Sequence, residues 1–333
     1  MSSSSPTFSL NVDMQHGKPP ILQVESPGDT ARWAAEHREA LRAAVVQHGS
    51  LLIRGLGLRG VPETEAVFRQ LGSLMTEREA FAPRRKYSEG VYSASKWPPN
   101  QHMCMHHELS YTLQFPSLMI FACLTASAEG GETPVADSTA ILHALPNDLL
   151  ARFERVGWEL IRNYNDEIGA SVAEAFGTYD RGAVESYCRA NAIRFEWQPD
   201  GGLRTWQRRS AVMHHPLTGQ RCWFNQIAFL NEWTIEPEIR EYLVDVYGED
   251  GLPFNTRFGN GDPIGPDFVQ LVDEIYEANT KRERWQAGDL MLVDNVRTAH
   301  ARESFEGPRE VLVALADPVN LSDCSPTIDV NAG

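Results

Sequence analysis

Apolar residues recur at helical spacing in the first part of the chain. A helix is predicted over Arg32–Gln47, capped at its start by Asp29 or Thr30. The apolar run Ser50–Ile53 that follows predicts a short buried strand. Pro62–Leu71, with acidic residues in its first turn, predicts a second helix. The chain therefore opens with an α/β segment.

Short strand patterns dominate the rest of the chain. Strands are predicted at Ser117–Leu124, Gly157–Arg162, Arg194–Gln198, Leu203–Trp206, Ser210–Met213, Arg221–Asn225, Arg284–Gln286, Asp289–Val293, Thr298–Glu303 and Glu310–Leu315. Helical patterns interrupt them at Asp137–Leu145, Pro146–Val156, Asp180–Asn191, Pro237–Tyr247 and Pro266–Ala278. Many short strands with turn signals favour a sandwich or barrel core with helices outside it. The predicted class is α+β, mainly β.

Composition and charge limit the partners and the cellular location that can be expected for this protein. The 333 residues carry a net charge of −15, which makes a nucleic-acid partner unfavourable. The longest apolar stretch, Leu118–Leu124, is too short to cross a bilayer, so no membrane association is expected. The five cysteines are scattered and odd in number, which favours free thiols in a reducing compartment, the cytoplasm by default. Met1–Pro20 has no apolar segment of a secretory signal and is expected to be a flexible arm before a single domain over 21–333.

Two residues of a His-His-Glu run have the spacing of metal ligands. On an extended segment, His106 and Glu108 share one face while His107 points away. An imidazole and a carboxylate on one face supply two thirds of the 2-His-1-carboxylate triad of non-haem iron oxygenases. One alternative is an HxxxH zinc pair on a helix, formed by His102 and His106. Another is a loop with ordinary surface histidines.

A third ligand must come from elsewhere in the chain. The candidates are His16, His37, His48, His143, His214, His215 and His300. His300 is preferred because it lies in the strand pattern Thr298–Glu303, inside the terminal β-rich region.

Several motifs in fixed order give a family resemblance. They are His106-His107-Glu108, Gly130-Gly131-Glu132-Thr133, Asp294-Asn295 with His300-Ala301-Arg302, and Gly307-Pro308-Arg309. In this order they resemble the TauD/TfdA superfamily of Fe(II)/2-oxoglutarate-dependent dioxygenases. Within it the chain is similar to the clavaminate synthase branch, which includes the syringomycin-pathway aspartyl hydroxylase. The resemblance covers about Leu51 to Pro318, nearly the whole chain.

The resemblance implies a fold, cofactors and residue roles. The fold would be a double-stranded β-helix (jelly roll) with helical insertions. His106, Glu108 and His300 match the iron ligands, and Thr133 and Arg309 match the residues that hold the distal carboxylate of 2-oxoglutarate. A guanidinium binds a carboxylate through paired, charge-assisted hydrogen bonds. The implied reaction consumes 2-oxoglutarate and O2 and releases succinate and CO2.

The retained carboxylate narrows the implied outcome. Related halogenases lack the residue that matches Glu108 and bind chloride in its place. Hydroxylation of an unactivated C–H bond is therefore expected, with desaturation or epoxidation as the alternative. The expected substrate is an amino acid or an amino-acid-derived molecule of specialised (natural product) metabolism, free or presented on a carrier protein. Two other classes remain open, namely a zinc-dependent hydrolase with the same triad and a β-barrel binding protein without turnover.

One departure from the family pattern concerns the substrate. Clavaminate synthase and taurine dioxygenase carry a second arginine four residues after the one matching Arg309, where this chain has Val313. Residues four apart on a strand face the same way, so Val313 should point inward with Arg309. A buried valine cannot pair with an anion, which favours a thioester, amide or ester at that point. Further candidate pocket residues are Asn225, Arg297, Arg302, Trp223 and Tyr92.

Overall fold

The computed structural model describes residues 10–79, 81–82 and 84–330, so residues 1–9 of the predicted arm lie outside the described part. Within it the largest sheet, here called the major sheet, has eight strands. Their spatial order is Val12–Asp13, Ile21–Gln23, Ser50–Arg54, Leu290–Asp294, Gln114–Thr125, Glu310–Asn320, Val91–Ser93 and Lys86–Ser88. Neighbouring strands are antiparallel except for the parallel pair Ile21–Gln23 and Ser50–Arg54.

A second sheet carries two of the predicted metal ligands. This minor sheet runs in the order Thr280–Lys281, Val135–Asp137, Thr298–Arg302 and Met103–His106. One apolar cluster contains residues of both sheets, including Met105 and Ala301 from the minor sheet and Phe121 and Val313 from the major sheet. The core therefore lies between two mainly antiparallel sheets, which confirms the predicted jelly-roll architecture.

The central strand Gln114–Thr125 is buried on both faces. Ile120 packs with the helices Thr30–His48 and Val61–Leu71, whereas its neighbour Phe121 belongs to the cluster between the sheets. Because side chains alternate along a strand, every second residue faces the interior of the jelly roll. The helices thus cover the outside of the major sheet and leave its inner face to the candidate site.

Smaller elements surround this core. An insertion sheet contains Arg194–Trp197, Leu203–Arg209, Trp158–Tyr164 and Phe254–Phe258, and two-stranded pairs form between Val212–His214 and Arg221–Trp223 and between Glu129–Gly130 and Phe305–Glu306. The remaining α-helices span Ser138–Ala144, Asn147–Val156, Val172–Phe176, Arg181–Ala190, Pro237–Tyr247 and Pro266–Ala278, and 3₁₀ turns span Glu232–Thr234, Glu249–Gly251 and Leu321–Cys324. Among the described residues no helix is long and apolar enough to cross a membrane.

The structure differs from the sequence prediction in several places, including short strands that were not predicted, such as Val91–Ser93 and Phe254–Phe258. The predicted strand Arg284–Gln286 is irregular, because its backbone bonds to side chains: the carbonyl of Arg284 accepts from Arg54, and the amide of Gln286 donates to Asp289. Val12–Asp13 pairs with the next strand, so this part of the predicted arm is tied to the sheet. The helix Val172–Phe176 was not predicted, since five residues are too few to show helical periodicity.

Candidate metal centre

His106, Glu108 and His300 converge in the interior of the jelly roll. His106 ends the strand Met103–His106 and lies directly opposite His300 in the neighbouring strand, with ring centroids 4.4 Å apart. The Oε2 of Glu108 lies 3.7 Å from the Nε2 of His300. One possible ligand atom from each residue lies within 4.8 Å of the others, and all three residues are buried. Two imidazoles and one carboxylate at these separations can hold a divalent cation.

A turn, rather than strand alternation, places Glu108. The strand ends at His106, and Leu109 has a positive φ of 55°. The amide of Glu108 donates to the Oδ1 of Asn295 (2.8 Å), while the Nδ2 of Asn295 donates back to the carbonyl of Glu108 (3.0 Å). The side chain of Asn295 therefore fixes the turn. In the sequence, Asp294-Asn295 is recognisable only as part of a family motif, and this supporting role was missed.

The protonation states suit metal binding. The Nδ1–H of His106 donates to the carbonyl of Cys104 at 2.8 Å, which leaves its Nε2 as the metal-facing lone pair. Burial, with a contribution from His300, lowers the pKa of His106 to about 3. Burial raises the pKa of Glu108, but the charge of Arg84 and the contacts with the two histidines outweigh burial and hold that pKa well below its usual range. Neutral nitrogens and an ionised oxygen are the states that bind a metal, so the residues present fit one.

Arg84 is a buried cation beside this centre. Its Nη2 donates to both carboxylate oxygens of Glu108, at 2.9 Å each, and its Nε lies 3.3 Å from the Oε1 of Glu77. The guanidinium thus stands between two buried carboxylates. Sequence reasoning missed Arg84 and Glu77, because a single arginine and a single glutamate outside any motif give no signal.

A cavity of about 40 Å³ adjoins the three residues and is here called the inner cavity; its wall includes Thr133, Arg309 and Val313. The Nε–H of Arg309 donates to the carbonyl of Gly131 at 2.9 Å, and this guanidinium has no salt bridge to a described residue. Burial and the nearby charge of Arg302 lower the pKa of Arg309 to about 10. A buried cation without an acidic partner is suited to an anionic ligand.

Gly131, two residues before Thr133, lies where a larger side chain would clash with its neighbours. Gly131 has a φ of +74°, and a Cβ there would lie 3.0 Å from the Cδ of Arg309 and 2.5 Å from the Oγ of Ser127. Glycine thereby lets the backbone approach the guanidinium. Thr133 is held from the other side, since its Oγ1 accepts a hydrogen bond from the Nε1 of Trp285 at 3.2 Å.

The predicted substrate residues are distributed over several places. Val313 and Arg302 line the inner cavity, but both Nη nitrogens of Arg302 donate to backbone carbonyls of the segment 97–101. Arg297 lies elsewhere: it pairs with Asp137 and donates to carbonyls at the end of the first helix. Asn225 is buried and bonded to backbone groups. The structure therefore does not bring Arg297 or Asn225 to the cavity.

The alternative zinc pair is not formed. The side chain of His102 is 46% exposed and pairs with Glu303 at 3.1 Å, so it does not join His106 in a site. Trp223 is a fully buried core residue that packs edge-on against Phe153.

A larger cavity of about 600 Å³, here called the outer cavity, shares Arg84 with the inner one. Its wall includes Glu77, Tyr92, Phe81, Trp97 and Phe254. The ring of Phe81 packs against both Phe254 and Phe229, and Phe229 stacks on the ring of His106 with centroids 4.7 Å apart. An aromatic surface thus runs from the outer cavity to a candidate metal ligand.

Comparison with known proteins gives consistent likenesses. Residues 17–315 match the family described as "Taurine catabolism dioxygenase TauD, TfdA family". Dapdiamide synthesis protein DdaC of Enterobacter agglomerans is 36% identical over 281 residues, covering 82% of this chain and 83% of that protein. A clavaminate synthase-like protein of Arabidopsis thaliana is 26% identical over 281 residues, covering 81% and 82%. The structure of PvcB, an Fe, alpha-ketoglutarate dependent oxygenase from an isonitrile synthetic pathway, has a TM-score of 0.54 at 18% identity and covers 96% of each chain.

Proposed function

This chain belongs to the TauD/TfdA family of Fe(II)/2-oxoglutarate-dependent dioxygenases, and on that premise we propose that it hydroxylates an unactivated C–H bond of an amino acid or amino-acid-derived small molecule. Iron and 2-oxoglutarate are its cofactor and co-substrate, as the sequence predicted. The observation that carries the proposal is the convergence of a two-histidine, one-carboxylate cluster with Thr133 and Arg309 around one cavity.

In this proposal His106, Glu108 and His300 hold the iron. When bound, iron in such a triad offers adjacent open positions to 2-oxoglutarate and O2 and supplies the oxidising chemistry. The Cys104 carbonyl keeps the proton of His106 on Nδ1, so Nε2 stays a lone-pair donor. Asn295 fixes the backbone that carries Glu108, and Arg84 keeps the carboxylate ionised.

Thr133 and Arg309 are proposed to hold the distal carboxylate of 2-oxoglutarate. What supports this assignment is a guanidinium that is buried, faces the inner cavity and has no acidic partner among the described residues. The hydroxyl of Thr133 accepts from Trp285, so its own proton is available to an acceptor in the cavity. A charged donor and a neutral donor would together bind both carboxylate oxygens.

Glu108 favours oxygen insertion over halogenation, since a carboxylate occupies the position that a halide would need. Desaturation or epoxidation by the same centre is the second candidate outcome. A zinc hydrolase using the same triad is disfavoured, because hydrolysis needs no clamp for a 2-oxo acid.

Two observations support the proposed substrate class: the name of one relative and the residue at position 313. DdaC is described as a dapdiamide synthesis protein, which supports a role for this chain in specialised metabolism of amino-acid derivatives. Val313 is 1% exposed and lines the inner cavity, so no cation stands where the second family arginine would be. An amide, ester or carrier-bound thioester therefore suits this end of the pocket. A cytoplasmic location stays a prediction.

Two measurements test the proposal. Anaerobic mixing of the protein with Fe(II) and 2-oxoglutarate should give the weak visible band of the chelate. A screen for succinate release should then respond to amino acids or their amides, free or tethered to a carrier. A protein that gives neither the band nor substrate-dependent succinate would not be an enzyme of this kind.

A further inference from the structure

The inner and outer cavities beside the candidate metal centre differ greatly in volume. The inner cavity, at about 40 Å³, is far smaller than the outer one, at about 600 Å³. Small-molecule sites are ordinarily a few hundred cubic ångströms in volume. With 2-oxoglutarate assigned to the inner cavity, the outer cavity is the space left for the body of a substrate, whose reacting end would be directed past Arg84 towards the metal centre.

Glu77 is a polar group of the outer cavity with a single ionic partner, Arg84, among the described residues. Its side chain is 7% exposed, and its carboxylate accepts no hydrogen bond from a described residue. The one ionic contact is with the Nε of Arg84 at 3.3 Å, and that Nε–H makes no hydrogen bond within the described chain. Burial, reinforced by the charge of Glu108 and opposed by that of Arg84, raises the pKa of Glu77 to about 7. The carboxylate of Glu77 therefore has acceptor capacity that a donor on a ligand in the cavity can fill.

The carboxylates of Glu77 and Glu108 share Arg84 as an ionic partner. A single guanidinium serves two buried carboxylates, and its closest hydrogen bonds go to Glu108. Glu108 faces the candidate metal centre, whereas Glu77 faces the outer cavity. A metal would balance the first carboxylate. Two other cations line the outer cavity, but Arg162 donates to a backbone carbonyl and Lys96 is exposed, and neither forms an ion pair with Glu77 among the described residues.

Aromatic rings complete the chemistry expected of an ammonium site. Phe81, Trp97 and Phe254 line the same cavity as Glu77, with the Phe81 and Phe254 centroids 5.0 Å apart. Ring faces attract a cation electrostatically, and a nearby carboxylate adds a charge-assisted hydrogen bond. Glu174 also lines this cavity, but its carboxylate already accepts from the amide and hydroxyl of Ser171.

We propose that the outer cavity binds a substrate with a free amino group, whose ammonium is held by the carboxylate of Glu77 between the aromatic side chains. This rests on the proposed function and deepens it, because it names the group by which an amino-acid-derived substrate is recognised. It is compatible with Val313, since recognition through an ammonium requires no free carboxylate near the inner cavity.

The test uses matched pairs of ligands on the intact protein. The probes are L-amino acid α-amides and their N-acetyl derivatives, which differ in the ammonium and share a neutral carboxyl end. Each is titrated anaerobically into the protein with Fe(II) and 2-oxoglutarate, and the change in the visible band gives a dissociation constant. The wild-type protein should bind the free amine of at least one pair about tenfold or more tightly than its acetylated form.

Variants test whether Glu77 causes the preference for the free amine over its acetylated form. Glu77→Gln should remove the preference while leaving the affinity of the acetylated member unchanged, and Glu77→Asp should retain part of it. Glu174→Gln, which makes the same charge change in the same cavity, should behave as wild type. Equal affinities within every pair, absence of amine binding, or an unchanged preference in Glu77→Gln would overturn this inference. Absence of the band in the wild-type protein would instead overturn the proposed function.

Discussion

Arg84 donates from one nitrogen to both carboxylate oxygens of Glu108, at 2.9 Å each, in a part of the molecule where both side chains are less than 10% exposed. The cation of Arg84 therefore compensates the charge of Glu108 before any metal binds. Breaking a buried ion pair by removing one partner leaves the other charge uncompensated.

The first prediction follows from this pair. Arg84→Gln should lower the free energy of unfolding of the metal-free protein by about 3 kcal/mol or more. Added Mn(II) should then raise the melting temperature of the variant by more than that of the wild type, because the metal supplies the missing positive charge. Thermal denaturation with and without Mn(II) measures both effects. Equal metal-induced shifts in the two proteins would show that Arg84 does not compensate Glu108.

The second prediction concerns the metal ligands. His300→Ala and Glu108→Ala should each abolish the anaerobic visible band and substrate-dependent succinate release, since two remaining ligands hold the metal poorly. His143→Ala, at an exposed position in the helix Ser138–Ala144, is the matched control and should keep both signals. Full activity in either ligand variant would refute the assignment.

The third prediction tests the support of the turn. Asn295→Ala removes hydrogen bonds to the amide and carbonyl of Glu108 and to the carbonyl of Pro116. Metal affinity should fall by about 10- to 100-fold, as is usual when a group that orients a ligand is lost. Asn295→Asp keeps the acceptor and loses the donor, so its affinity should be intermediate. Isothermal titration with Mn(II) decides, and wild-type affinity in Asn295→Ala would contradict this role.

The fourth prediction separates steric from backbone effects at a glycine. Gly131→Ala places a methyl group against Arg309 and should weaken 2-oxoglutarate binding while leaving Mn(II) binding intact. Gly177 has a similar φ of +71°, and a Cβ added there would meet no atom within 4 Å, so Gly177→Ala carries the backbone strain alone, about 1 kcal/mol. Weaker 2-oxoglutarate binding in Gly177→Ala as well would argue against a local effect on Arg309.

The fifth prediction is a pH dependence of stability. Hydrogen bonding to His102, followed by that to Arg282, lowers the pKa of Glu303 to about 2 against the opposing effect of burial. A carboxyl group with a depressed pKa stabilises the fold above its unfolded-state pKa, and this contribution is lost as the pH falls towards its folded-state pKa. Glu303→Gln should therefore cost about 1 kcal/mol at pH 6, a value reduced for solvent screening of the exposed partners, and less at pH 3.5. Urea denaturation at the two pH values checks this, and a constant difference would contradict it.

Local patterns explain how much of the fold was predictable. The helix Thr30–His48 and the strand Leu290–Asp294 follow the predicted ranges closely, because each has clear periodicity and a defined end. Arg284–Gln286 was predicted as a strand of the β-rich end. Instead, the amide of Gln286 donates to Asp289, three residues along the chain, and the carbonyl of Arg284 accepts from Arg54, which is distant in sequence. Contacts of that kind depend on the tertiary structure and leave no local pattern.

In the candidate site, too, some residues could be predicted from the sequence and others could not. The residues with motif spacing, such as His106 and Arg309, could be identified from order along the chain. Arg84, Glu77 and the supporting role of Asn295 could not, because each acts through a partner distant in sequence. Glu108 shows the limit most clearly: its convergence with His106 was predicted, but from strand alternation that ends two residues too early.

The stack of Phe229 on His106 has an evolutionary consequence. The aromatic side chains that shape the outer cavity also support the ring of a candidate metal ligand, so repacking them for a new substrate disturbs the metal centre at the same time. The polar positions of that cavity carry no such constraint on the ligand ring. Within lineages that share this aromatic surface, substrate range should diversify first through charged positions that do not contact a metal ligand, unlike Arg84, and only later through the rings.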